Sequence, residues 1–271
     1  MEQNLRRRLT FTCNNQALAA TLDEAPGIAG LLIISGGNEI RIGSHRGMAK
    51  LAADLARHGI SVFRFDRRGI GDSEGSNGNF DSSGPDIDAA IQAFRAHCPH
   101  IQRVYAFGNC DAAAALLLHK PKGLAGQILS NPWTIEVVDD LPPPAAIRAH
   151  YASSLSDPKV WIRLITGGIN VRKLFEGLKK IAKPQAQGAT SLVQRVADGL
   201  DAQREPITII LASRDNTAIA FAEAWQSKAF AAARANPRIK IKELDSASHS
   251  FANDGDYSFL RTTILEAVSL G

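Results

Sequence analysis

The chain has 271 residues, 45% of them hydrophobic and 21% charged, with a formal net charge of +4. That length suits one α/β domain with an insertion. Scattered Lys and Arg with only 6% aromatic residues argue against a nucleic-acid-binding face, and no run approaches the ~18 apolar residues of a membrane span.

From the N-terminus, the cluster Arg6-Arg7-Arg8 leads into residues too few and too polar for a signal-peptide core. Cys13, Cys98 and Cys110 are far apart and odd in number, so neither a disulfide framework nor a zinc site is expected. A reducing cytoplasm is the expected location. The runs Arg8 to Cys13 and Leu18 to Leu22 flank Asn14-Asn15 and predict an antiparallel hairpin at a sheet edge. Leu31-Leu32-Ile33-Ile34 is continuously apolar, as a strand covered on both faces must be. It ends in Ser35-Gly36-Gly37-Asn38, and a helix is expected from about Ser44 to His58. Ser61 to Phe65 is the next strand, followed by the glycine-bearing loop Asp66 to Gly75. Gly69-x-Gly71-x-x-x-Gly75 fits a dinucleotide fingerprint poorly, because the third glycine is one place late and no helix starts promptly. Its expected role is a turn beneath the site, pinned by ion pairs of Asp66 and Arg68. Gly84-Pro85-Asp86 opens a further helix, with Pro and an acid in its first turn.

Val104-Tyr105-Ala106-Phe107 then runs into Gly108-Asn109-Cys110-Asp111-Ala112, and an alanine- and leucine-rich helix follows at once. With almost no loop between strand and helix, Cys110 must sit on a sharp turn. That is the pattern of a nucleophile elbow, with Cys in place of Ser and Ala in place of the second Gly. A buried, inert cysteine is the competing reading. Gln127-Ile128-Leu129-Ser130 is one more strand. From Asn131 to about Arg204 only helical patches are expected, broken at Leu141-Pro142-Pro143-Pro144 and Gly167-Gly168. Strand character resumes at Pro206 to Ala212. A helix over roughly Thr217 to Arg234, a strand from Ile239 to Leu244 and a closing helix near Asp256 complete the chain. Strands alternating with helices imply a mostly parallel sheet with helices on both faces. The expected organisation is a core of residues 1–130 and 205–271, with a helical cap of residues 131–204 inserted after the sixth strand.

A free thiol of pKa ~8.5 is only a few per cent thiolate at neutral pH and needs a base. His249 is the candidate, because the loop after the last strand lies at the same carboxyl edge as Cys110. Asp215, directly after the penultimate strand, is the candidate orienting carboxylate. Its bland role is to cap the helix at Thr217, and Asp245 is its rival. The chain order nucleophile, acid, histidine is the one recorded for Ser…Asp…His hydrolases. Candidate oxyanion donors are the backbone N–H groups of Asp111 and Gly37, with Asn38 as the alternative to Gly37. His45 and Arg46 are candidate substrate-binding residues, as are Trp133 and Trp161. Trp225 is expected in the core.

Together, Phe65-Asp66-Arg67-Arg68-Gly69-Ile70-Gly71-Asp72-Ser73, the Cys110 elbow, Asp215 and His249 resemble the α/β-hydrolase superfamily over nearly the full chain. Ser35-Gly36-Gly37, Arg41-Ile42-Gly43-Ser44-His45-Arg46 and Phe63-Arg64-Phe65-Asp66 resemble, more narrowly, the exosortase A system-associated hydrolases, bacterial proteins encoded near exopolysaccharide and protein-sorting genes. The resemblance implies the eight-stranded hydrolase fold, a helical cap, no cofactor and no metal. The function expected is acyl transfer from a small-molecule ester or thioester to water or another acceptor. Dienelactone hydrolases, which resemble the chain in their Cys elbow, imply that sulfur is a productive substitution. The alternatives are a non-catalytic binding or scaffolding protein that keeps the fold, and lyase-type chemistry on it. Neither nucleic acid nor membrane is an expected partner, and oligomeric state is left open.

Overall fold

The computed structural model describes residues 6–135 and 191–269. Eight strands form one sheet in the order β1-β2-β4-β3-β5-β6-β7-β8. β1 (Arg6–Cys13) and β2 (Gln16–Asp23) are the predicted hairpin. β2 pairs antiparallel with β4 (Ser61–Phe65). From β4 across β3 (Ala29–Ile34), β5 (Arg103–Asn109), β6 (Gly126–Ser130), β7 (Ile207–Ala212) and β8 (Ile239–Leu244), every pairing is parallel. The carboxyl ends of all six therefore lie along one edge, the edge at which open α/β sheets bind ligands.

Helices cover both faces. α1 (Gly47–Arg57) lies on one side with the closing helix, and their side chains join Leu31, Ile33, Tyr105 and Ile210 in one apolar cluster. The opposite face is filled by α2 (Gly84–His97), α3 (Asp111–His119) and α4 (Leu192–Ala202), packed on Leu32, Ile34, Phe63 and Phe65. The expectation placed residues 192–202 in the cap. Instead Val196, Ala197 and Leu200 are buried in this cluster, and a Cβ on Gly199 would stand 2.5 Å from the Leu117 carbonyl oxygen. This helix packs in the layer beside the sheet. The rest of the expected cap, residues 136–190, lies outside the described residues, and so do Trp161 and His150.

Two helix boundaries differ from expectation. The chain at Ser44–Arg46 is a short 3₁₀ turn, and His45 and Arg46 take left-handed φ values of 52° and 59°, so the α-helix starts only at Gly47. The helix expected over 217–234 is three pieces: α5 (Asn216–Trp225), a 3₁₀ turn at Lys228–Phe230 and α6 (Ala231–Ala235). The break lets Phe230 fold back onto Phe221 and Trp225, with ring centroids 5.7 and 5.5 Å apart. Aromatic burial outweighs the helix propensity of the alanines here. The final helix, α7, spans Asp254–Ser269. Among the described residues no helix is long and apolar enough to cross a membrane.

The loop 66–75 is pinned as expected. Asp66, fully buried, pairs with Arg41 and accepts the Arg41 and Asp72 N–H groups at 2.5 and 3.1 Å. Arg68 pairs with Asp86 at 2.5 Å.

Candidate active site

Cys110 sits between β5 and α3 with φ 62° and ψ −125°, outside the regions an L-residue prefers. Such strain persists only where the surroundings over-determine it, and here the crowding of strand and helix does so. A Cβ on Gly108 would lie 2.7 Å from the Ala112 carbonyl carbon, so only glycine fits. The Cys110 N–H donates to the Ser130 carbonyl at 2.9 Å, and its own carbonyl accepts from Ala113, Ala114 and Trp133 N–H groups. Cys13 and Cys98 are buried, and burial raises the pKa of both thiols, that of Cys98 to about 11. Cys110 alone of the three reaches solvent.

Asp215 follows just beyond the end of β7, and its carboxylate makes two sets of contacts. Its Oδ2 accepts the Thr217 and Ala218 N–H groups at 3.1 Å each, capping α5, and lies 3.0 Å from His249 Nδ1. The rival Asp245 is 86% exposed and pairs instead with Arg214. His249 lies between the carboxylate and the sulfur. Its hydrogen bond to Asp215, then that to Cys110, push its pKa up to about 10 against the opposing effect of burial. The imidazole thus holds a proton between a carboxylate and a thiol.

Two residues absent from the expectations hold this histidine. Asn109 Nδ2 donates to the His249 carbonyl at 3.1 Å, and Asn131 Nδ2 reaches the same oxygen at 3.4 Å. Asn131 also accepts the Ala212 N–H at 2.9 Å, and Ser130 donates to Asn109 at 2.7 Å. The elbow, the end of β6 and the end of β7 therefore all bear on one peptide of the histidine loop. Both asparagines stand at or just beyond the carboxyl ends of adjacent strands, the one signal in the sequence that could have singled them out.

Of the candidate oxyanion donors, Asp111 opens α3, and its N–H has no acceptor among the described residues. The Gly37 N–H is engaged: it donates to the Asp111 side chain at 2.5 Å. The Asn38 side chain accepts from Asn77 at 2.8 Å. Gly36 presses on the elbow, where a Cβ would stand 2.5 Å from the Asn109 carbonyl oxygen and 3.5 Å from Cys110 Cβ. His45 and Arg46 are exposed on the segment leading into α1. A cleft of about 10 Å³, room for one water, separates that segment from Ser250 and Phe251. Trp133 is half-buried against the larger core, and Trp225 packs there as expected. Of the remaining described histidines, His58, His100 and His119 each meet a backbone carbonyl, those of Asp54, Ala25 and Phe80. Among the described residues no three His, Cys, Asp or Glu side chains converge as a metal site.

A family model described as serine aminopeptidase, S33, matches residues 29–256. No curated protein matches the sequence. Among solved structures, the chain is similar to the esterase Pf2001 of Pyrococcus furiosus, with TM-score 0.68 and 14% identity over 98% of this chain and 90% of that one. It is also similar to a putative aryl esterase from Burkholderia cenocepacia, with TM-score 0.59 and 17% identity over 97% and 100% of the two chains. Est1E of Butyrivibrio proteoclasticus, solved with ferulic acid bound, gives 0.58 and 15% over 96% and 99%. At these identities the likeness is one of fold.

Proposed function

Because the chain belongs to the serine aminopeptidase, S33, family of the α/β-hydrolase superfamily, we propose that it is an acyl hydrolase or acyltransferase with a Cys110–His249–Asp215 triad. The family's name carries a serine where this chain has Cys110. The observation that carries the reading is His249 set between Asp215, 3.0 Å away, and the Cys110 thiol. With the proton already on His249, as its raised pKa requires, the Cys110 sulfur attacks the carbonyl carbon of an ester or thioester. The negative oxygen so formed needs rigid N–H donors, and the Asp111 amide at the start of α3 is one. Collapse breaks the bond to the leaving alkoxide or thiolate, which His249 protonates. Water or another acceptor, deprotonated by His249, then attacks the acyl-sulfur bond and returns the thiol. Asp215 keeps the imidazole in the right tautomer throughout.

The insertion between β6 and β7 leaves the sheet at the edge where the triad lies. In this reading it supplies substrate contacts through Trp133 and Trp161, while His45 and Arg46 are candidates from the segment before α1. A reducing cytoplasm suits a free nucleophilic thiol. The likeness of residues 35–73 to exosortase A system-associated hydrolases favours a setting in bacterial exopolysaccharide and exosortase-associated metabolism, and leaves the acyl group open. The test uses a panel of short acyl esters and acyl thioesters and a cysteine-directed acylating probe. Cys110→Ala is expected to abolish turnover and labelling, whereas Cys98→Ala keeps both. Labelling of all three thiols alike, or turnover that survives Cys110→Ala, refutes the mechanism. A wild-type protein no faster than His249→Ala across the panel points to a non-catalytic binding protein instead.

A further inference from the structure

Arg67 is not explained by the triad. Its side chain is only 4% exposed, and its sole carboxylate partner, Asp111 Oδ2, stands 3.4 Å away. A charge so deeply buried on so long an ion pair is a poor stabilising device, since desolvation offsets the attraction. What the guanidinium does is join three separate pieces of chain. Nη1 donates to Ser83 Oγ at 2.9 Å, just ahead of α2. Nη2 donates to the Gly37 carbonyl and faces the Asp111 carboxylate. The other oxygen of Asp111 accepts the Gly37 N–H at 2.5 Å. Both backbone groups of Gly37 are thus held, one by Arg67 and one by its ion-pair partner. Gly37 takes φ 54°, and the adjacent Gly36 bears on Asn109 and Cys110.

We propose that Arg67, acting through Asp111 and the Gly37 peptide, is a positioning residue that fixes the loop after β3 against the nucleophile turn. This rests on the acyl-transfer reading. The loop must keep one shape while charge develops on the substrate oxygen, because donors that reorganise during the reaction lose most of their effect. Arginine suits the task because its planar fork spends separate N–H groups on a hydroxyl, a carbonyl and a carboxylate in fixed directions. Both of its Nη groups are engaged, and its Nε is buried with no hydrogen-bond partner among the described residues, so the guanidinium is not open to a substrate.

Two reactions of the same sulfur separate this role from general support of the fold. Alkylation of Cys110 by iodoacetamide creates no oxyanion, whereas acylation by p-nitrophenyl acetate does. Both are followed by intact mass in wild type, Arg67→Met, Arg67→Lys and Asp111→Ala. Arg67→Met and Asp111→Ala are expected to slow acylation tenfold or more while alkylation stays within about twofold. Arg67→Lys, which keeps the charge but loses the fork, is expected to fall between wild type and Arg67→Met. Combining Arg67→Met with Asp111→Ala should be no worse than the slower single variant, since both break one strut. Parallel loss of the two reactions, unchanged acylation, or fully additive losses would overturn the proposal. So would faster acylation in Asp111→Ala, because the carboxylate would then be an obstruction. A wild-type enzyme that alkylates at Cys110 but never acylates there sinks the acyl-transfer reading itself, an outcome separate from any of these.

Discussion

The proposed mechanism gives the Asp215 carboxylate a second task beside capping α5, and substitution can take the two apart. Its Oδ2 accepts two N–H groups at the start of α5 and also meets His249. Asp215→Asn keeps a side-chain oxygen for the cap, and Asn is among the best residues at that position. It loses the negative charge that stabilises an imidazolium, and its amide can orient the ring the wrong way round. The expected fall in kcat is about 10⁴-fold, or about 5.5 kcal/mol of barrier at ~1.36 kcal/mol per decade. Asp215→Ala loses the cap as well, costing about 1 kcal/mol of stability and lowering Tm by about 2–4 °C for a chain of this size. Asp215→Ser restores the cap, since serine serves there almost as well, but its hydroxyl is too short to reach the histidine. The assay pairs thermal unfolding with steady-state hydrolysis of an ester substrate. Melting should rank Asn and Ser together above Ala, while all three lose activity alike. If Asn retains more than a tenth of wild-type kcat, the carboxylate is not orienting His249. If Ala melts with Asn, the cap carries no weight.

The raised pKa of His249 gives a pH prediction. Because its folded value, about 10, lies above the ordinary one near 6.5, the Asp215 contact adds stability fully below pH ~6.5 and loses it as pH climbs through about 10. The alkaline limb of kcat/KM should therefore fall near pH 10. Asp215→Asn, which removes the largest cause of the shift, should bring that limb down by at least about one unit, and a limb that stays in place refutes the assignment. At the elbow, Gly108→Ala forces a Cβ to 2.7 Å from the Ala112 carbonyl carbon and should cost about 3 kcal/mol in chemical denaturation. Wild-type stability in that variant would mean that strand and helix have room to part.

Much of this architecture could be read from the chain. β3 announces itself because a strand covered on both faces is apolar throughout, as Ala29–Ile34 is, whereas β4 carries a buried Ser61 and Arg64 and β5 is polar at both ends, so these two read as strands from the apolar residues between. The three residues of the proposed triad stand out because each lies in the connection leaving the carboxyl end of a parallel strand, so topology alone brings them to one edge. The broken helix after Trp225 was not legible: Ala229-Phe230-Ala231-Ala232-Ala233 favours a helix at every position, and only the packing of Phe230 on Trp225 explains the turn. Arg234 settles that turn by donating to the Ser227 carbonyl at 2.9 Å. Asn131 and Arg67 were hidden for a related reason. Their partners, the His249 carbonyl and the Gly37 peptide, are 118 and 30 residues away in sequence. No local spacing marks such a pair. A buried arginine beside an unusual Gly-Gly turn shows its meaning only when the third dimension is filled in.

The bend that presents Cys110 has a corollary for how such a protein can change its trade. Its shape is dictated by the missing side chain of Gly108, the closeness of Ala112 and the pull of the Ser130 carbonyl, none of which consults the atom at the tip. Sulfur and oxygen are therefore interchangeable parts mounted on the same bracket. On the acyl-transfer reading proposed above, a single codon swaps a soft tip for a hard one on the same frame, leaving the proposed base and its carboxylate to be retuned afterwards.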